Sequence, residues 1–205
     1  TSRAAGGAPT YDRGNTHILA LRSANPTLVI NVPAGTVADD VMIASIGVAW
    51  SGTTAPVATP PAGWTLVRQI DNNTATRNSL FVYRRVAGGS EPASYTWNFT
   101  NFIFAVGGIQ SFSGVDTTAP VDVENGVATA SALTHATPSV ATTVTNAMLV
   151  TSHTYASSGT WTPPAGMAEG FDVSAWTAPN ALGQSTEGSY VLQAAAGATG
   201  ARTAT

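Results

Sequence analysis

The chain has 205 residues, 8 of them basic and 11 acidic, for a net charge of −3, and it contains no Cys. The missing Cys excludes a disulfide framework, thiolate metal sites and a cysteine nucleophile. Every basic residue is Arg, and only 9% of residues are charged against the usual ~25%, which leaves no basic patch to replace the counterions of a nucleic acid.

No apolar run approaches the ~20 residues of a membrane-spanning helix, so no membrane insertion is expected. A chain of this length buries a core without a metal or disulfide staple. Its solubility rests on Thr, Ser, Asn and Gly. That composition suits a glycan-facing or virion-surface protein, so an extracellular or virion-surface location is expected.

In chain order, Thr1–Asn15 reads as a Gly/Ala-rich arm able to gain order on a neighbour. It has neither Met nor the apolar centre of a signal peptide, as expected of a processed chain or a fragment. Thr16–Arg22, THILALR, reads as a first strand. Leu28–Val32 alternates and ends at Pro33-Ala34-Gly35. Val41–Trp50 is apolar on both faces, the mark of a central strand covered on both sides. Ser51–Pro61 is expected to be a long turn. Strands follow at Trp64–Ile70, Leu80–Val86 and Tyr95–Phe99; the last alternates aromatic residues with Thr and Asn. Phe104–Ser113 is a further strand whose central Gly107-Gly108 marks a bulge or a close backbone approach. Gly114–Gly126 is a polar crossover, after which strands are expected at Ser139–Val144, Ala147–Tyr155, Met167–Val173 and Tyr190–Ala194. No stretch has helical periodicity.

The order of runs repeats. TPPAG occurs at Thr59–Gly63 and again at Thr162–Gly166, each time between two apolar runs. The expected fold is therefore all-β, a two-sheet jelly-roll-like sandwich built from two quasi-repeats. Residues 16–205 form one domain, with halves at about 28–123 and 138–205. The second half stops before any counterpart of Phe104–Ser113. Three arrangements would account for this. The strand lies in further residues, Thr16–Arg22 takes its place, or an open edge beside Tyr190–Ala194 is completed by a neighbouring chain.

The string from Gly63-Trp64 through VYRRVA (Val82–Ala87) and SYTW (Ser94–Trp97) to SGVDTTAP (Ser113–Pro120) resembles a β-sandwich module. That module recurs in bacterial secreted proteins and in phage tail fibres and minor tail proteins. The likeness covers about Asn31–Val123; the second half is similar to a degenerate copy, with Met167 in the place of Trp64. The resemblance implies a non-enzymatic structural or attachment module, and it carries no binding residues across.

The residues supply few candidates for chemistry. His17, His135 and His153 have no metal-ligand spacing, and no G-x-S-x-G elbow occurs. No catalytic residue, cofactor or metal site is expected, and the chain is read as a non-enzyme. Asp39, Asp116 and Asp122 lie in loops, where they either bind Ca²⁺ or accept turn N–H groups; the second role is expected of Asp39 and Asp116. Of five Trp, Trp64 and Trp97 are expected in the core. Trp161, Trp176 and Trp50 sit in or beside loops and are the candidates for stacking on a sugar. The expected partners are other copies, other structural subunits or a host-surface glycan; the alternative function is a carbohydrate-binding module of a secreted protein.

Overall fold

The computed structural model describes residues 27–74, 76–175 and 183–205. The expected arm, the strand at Thr16–Arg22, His17 and Trp176 lie outside the described residues.

Among the described residues every regular element is a strand. The first seven are β1 (Thr27–Asn31), β2 (Val41–Ala49), β3 (Val57–Thr59), β4 (Thr65–Asn72), β5 (Asn78–Val86), β6 (Ser94–Thr100) and β7 (Phe104–Phe112). After the crossover come β8 (His135–Ala136), β9 (Ala141–Thr142), β10 (Ala147–Tyr155), β11 (Ala168–Ser174), β12 (Ser185–Gln193), β13 (Gly197–Ala198) and β14 (Thr203–Ala204). All pair antiparallel. The all-β expectation holds. The described residues form five sheets, however, where two were expected. Their orders are β1-β6-β3, β4-β5-β2-β7, β11-β12-β10, and the short ribbons β9-β13 and β8-β14.

The layers follow from alternation along β2. Met42, Ala44, Ile46 and Val48 are fully buried in the core under β1-β6-β3. Ser45 and Gly47 point the other way, toward the sheet β11-β12-β10, where the hydroxyls of Ser45 and Ser152 meet at 2.6 Å. The four-stranded sheet is thus the middle layer, as its doubly buried central strand predicts.

The two sheet-to-sheet contacts differ in chemistry. The first is aromatic: Trp97 is 0% exposed, and Trp64 meets it at 5.2 Å and Tyr95 at 5.3 Å between ring centres. The contact between the middle and third sheets is made by small and polar groups. A Cβ on Gly47 would collide with the hydroxyls of Thr154 and Thr186, and one on Gly108 would enter the Phe171 ring. The Gly107-Gly108 pair is therefore a close approach; the β2–β7 register runs through it unbroken.

The halves share local structure. Each TPPAG ends in a left-handed Gly (Gly63, φ 85°; Gly166, φ 76°), followed by a turn closed by Trp64 N–H on Pro61 O or Met167 N–H on Pro164 O. Each next strand carries a register shift, Leu66/Arg68 in β4 and Glu169/Phe171 in β11. The pairing order β4-β5-β2 recurs as β11-β12-β10.

The expected open edge needs correction. Tyr190–Ala194 belongs largely to β12, which pairs along its whole length with β10 and, from Ser185 as far as Tyr190, with β11. In the first half β7 pairs with β2, so the strand without a counterpart would lie beside β10, and there, among the described residues, the sheet ends. Two further departures are local. Part of the long turn forms β3 on the edge of its sheet, where prolines are tolerated. The expected strand Ser139–Val144 shrinks to the two residues of β9.

Candidate functional site

Two places bring polar or open features together: a sealed cluster on the outer face of the third sheet and a groove along β10. The cluster lies on the face of the third sheet turned away from the middle sheet: His153 and Glu187 alternate with Ser152, Thr154, Thr186 and Gly188, which face β2 and β7. Aligning VMIASIGVAWSGT (from Val41) with MLVTSHTYASSGT (from Met148) sets His153 at the place of Ile46. Strand register then sets Glu187 at the place of Phe81 and Ser189 at that of Tyr83. Where the first half packs Ile46, Phe81 and Tyr83, the second buries an imidazole, a carboxyl and a hydroxyl.

Glu187 is 0% and His153 5% exposed. Ser189 donates its hydroxyl to Glu187 Oε1. Glu187 Oε2 stands 3.7 Å from His153 Nδ1, beyond hydrogen-bond reach, and neither atom has another partner among the described residues. His153 Nε2 lies 3.4 Å from the Arg202 carbonyl, which assigns the ring proton to Nε2 and leaves a lone pair on Nδ1. Burial pushes the Glu187 carboxyl up; the Ser189 hydroxyl opposes this, while Glu169 and Asp172 add to it. Burial also pushes His153 down to about 4, against the Arg202 carbonyl. Both shifts favour the uncharged forms. Trp161 caps the cluster, its ring centre 5.8 Å from His153 and 4.6 Å from Tyr155. Its N–H bonds the Asp172 carboxylate at 2.8 Å through the backbone. Glu187 and His153 are both sealed from solvent.

The sugar-stacking candidates are overturned where the structure describes them. Trp50 is 4% and Trp161 6% exposed, so neither offers an open indole face. Trp50 lies under the Arg77 guanidinium at 5.6 Å, and Trp161 faces inward because its loop is tied to the chain end by paired bonds between Thr162 and Thr205.

The loop acids hold backbone. Asp116 accepts from Thr118 and Ala119 N–H groups, as expected. The acceptor in the earlier turn is Asp40, which takes the Val37 N–H, and not Asp39, which adopts φ 70°. Asp122 accepts the N–H and hydroxyl of Thr143. Among the described residues no three His, Asp or Glu side chains converge as a metal site would require. Arg85 is likewise occupied, forked onto Glu91 and bonded to the Ala62 carbonyl.

The groove is larger, with a volume of about 1630 Å³. Its floor is the outward face of the middle sheet, with Ile43, Leu80 and Val82. One wall is β10. The other is the crossover, strapped to β4 by the Glu124–Arg68 pair at 2.5 Å and by Asn72 donating to the Thr129 carbonyl at 2.8 Å.

Compared with known protein families, known proteins and solved structures, the chain matches none. Sequence reading missed Glu187, and the signal was there: an acid within a run whose counterpart is SLFVY. The groove left no such signal, because it depends on how two sheets stack.

Proposed function

We propose that the chain is a non-catalytic structural or attachment module on a virion or cell exterior, of the phage tail, fibre or decoration type. The observation that carries this reading is how the reactive side chains are used. Asp40, Asp116, Asp122, Glu91 and Glu124 each bind backbone or Arg partners that tie strands and crossover together. The outer surface offers apolar side chains such as Leu133, 92% exposed, and Leu192, 56% exposed, with little charge to oppose association. Other copies or other structural subunits are the natural partners, and a host-surface glycan is a further one.

Light scattering and a turnover panel of esters and glycans test the reading. The expected result is a mass that is a multiple of 20.8 kDa and no turnover. A monomeric mass together with hydrolysis lost on a single Asp or Glu substitution would refute it.

A further inference from the structure

We propose that the free edge of β10 is a strand-accepting slot, and that it takes Thr16–Arg22 from a second copy of this chain. The inference deepens the assembly reading above and rests on it.

Consider the edge first. Asn146 N–H donates to the Ala194 carbonyl. Backbone polarity alternates along an antiparallel pair, so even-numbered residues of β10 face β12 and odd-numbered ones turn N–H and C=O to the free side. No described residue bonds the backbone N–H of Ala147, Leu149, Thr151 or His153 from that side. The other sheet edges are blunted. β4 and β11 carry register shifts, β1 and β3 are short, and β7 is flanked by β1 and β11. β10 has nine residues in unbroken register, a long flat edge of the kind that templates pairing.

The groove gives this edge the shape of a slot. An added strand would pair with β10, lie on Ile43, Leu80 and Val82, and be bounded outside by the crossover. In the first half β7 fills the corresponding place beside β2. Charge selects the occupant. Arg68 and Glu124 neutralise each other, and Asp116 and Asp122 are bonded to backbone. The slot therefore suits a strand with little charge. THILALR has His17, Leu19 and Leu21 on one face, Ile18 and Ala20 on the other, and its Arg at the end.

Reach decides which copy supplies it. β1 lies in the first sheet and β10 in the third, on opposite faces of the middle sheet. β1 approaches β7, and β10 approaches β2 and β5, to within 8 Å. Two such layers, together with the two strand spacings of ~5 Å from β7 to β5, put β1 and the slot about 19 Å apart in a straight line, and the path round the middle sheet is longer. From Arg22 to Thr27 (27 − 22 = 5 steps) the chain spans at most about 18 Å. A chain falls short of its own slot, and a neighbour's segment enters it.

Because the chain lacks Cys, single cysteines report the contact cleanly. Chains carrying Leu19→Cys or Ala20→Cys are mixed with differently tagged chains carrying Ala147→Cys, Leu149→Cys or Thr151→Cys, then oxidised. Val37→Cys is the control. The expected result is a disulfide between differently tagged chains at least tenfold above the control. Deleting residues 1–22 should leave a monomer by light scattering. Leu149→Pro removes one edge N–H without touching the β12 ladder and should also give a folded monomer; if it fails to fold, the deletion decides. A multimer that survives the deletion, or a disulfide formed within one chain, overturns the slot and leaves the assembly reading standing. A monomeric unmodified chain overturns both.

Discussion

Gly63 and Gly166 end the same pentapeptide with nearly the same φ, yet their surroundings differ. An added Cβ at Gly166 meets nothing within 4 Å, whereas at Gly63 it would collide with the Arg85 guanidinium. Gly166→Ala should cost only the left-handed strain, about 1 kcal/mol. Gly63→Ala should cost roughly twice that, because Arg85 must also loosen its charged hydrogen bonds; urea midpoints of the two variants check the order. Trp97→Ala, which empties the centre of the aromatic core, should cost about 3–5 kcal/mol in the same assay. The buried pair makes a prediction in pH. His153 titrates at about 4 when folded and near 6.5 when unfolded, so the unfolded chain takes up the proton first. Its contribution is present above pH 6.5 and is lost as pH falls toward 4, by about 3 kcal/mol. Glu187 shifts the other way: its carboxyl is raised, so stability is lost as pH rises above ~4.5, where the unfolded carboxyl ionises. Glu187→Gln removes that second slope. The variant should therefore gain on the unmodified chain between pH 5 and pH 8; a pH-independent difference in urea melts would show that the carboxyl is not shifted.

At the scale of elements, the strands whose side chains alternate against one core were legible. β6 and β10 were recognised from Tyr95, Trp97 and Phe99 and from the run Ala147–Tyr155. β12 was read only from Tyr190 onward, because its first half, Ser185–Ser189, is small and polar. Of those residues, Thr186 and Gly188 pack against Gly47, Gln110 and Thr154, and no hydrophobic pattern announces such a contact. The crossover is held to the sheets chiefly by side-chain bonds, among them Asp122 to Thr143. Asp122→Ala should speed proteolytic nicking between Gly114 and Leu133 while leaving the main melting transition in place. Gel time courses of limited proteolysis beside a thermal scan check both halves of that expectation.

For the whole molecule, the three stacked sheets hold an aromatic core between the first and the middle sheet and a polar core on the outer face of the third, under Trp161 and Arg202. Burial of Trp, Tyr and Phe rings supplies most of the apolar area in the first. The second buries groups whose desolvation costs free energy unless they are paired. Amide exchange should accordingly be slowest in β2, β5 and β6 and measurably faster in β10 and β12. Equal protection across both would show that the polar cluster stabilises as well as the rings do.

By itself the sequence determined the strand class, the doubly covered β2, the burial of Trp64 and Trp97 and the repeated turn, because local alternation, Gly and Pro carry those features. Only the tertiary structure decided that Trp50 and Trp161 point inward, that Glu187 meets His153, and that β10, among the described residues, ends its sheet. Each of these depends on which strand pairs with which across long separations, or on how far two sheets are offset when they stack. Spacing along a chain does not encode those relations.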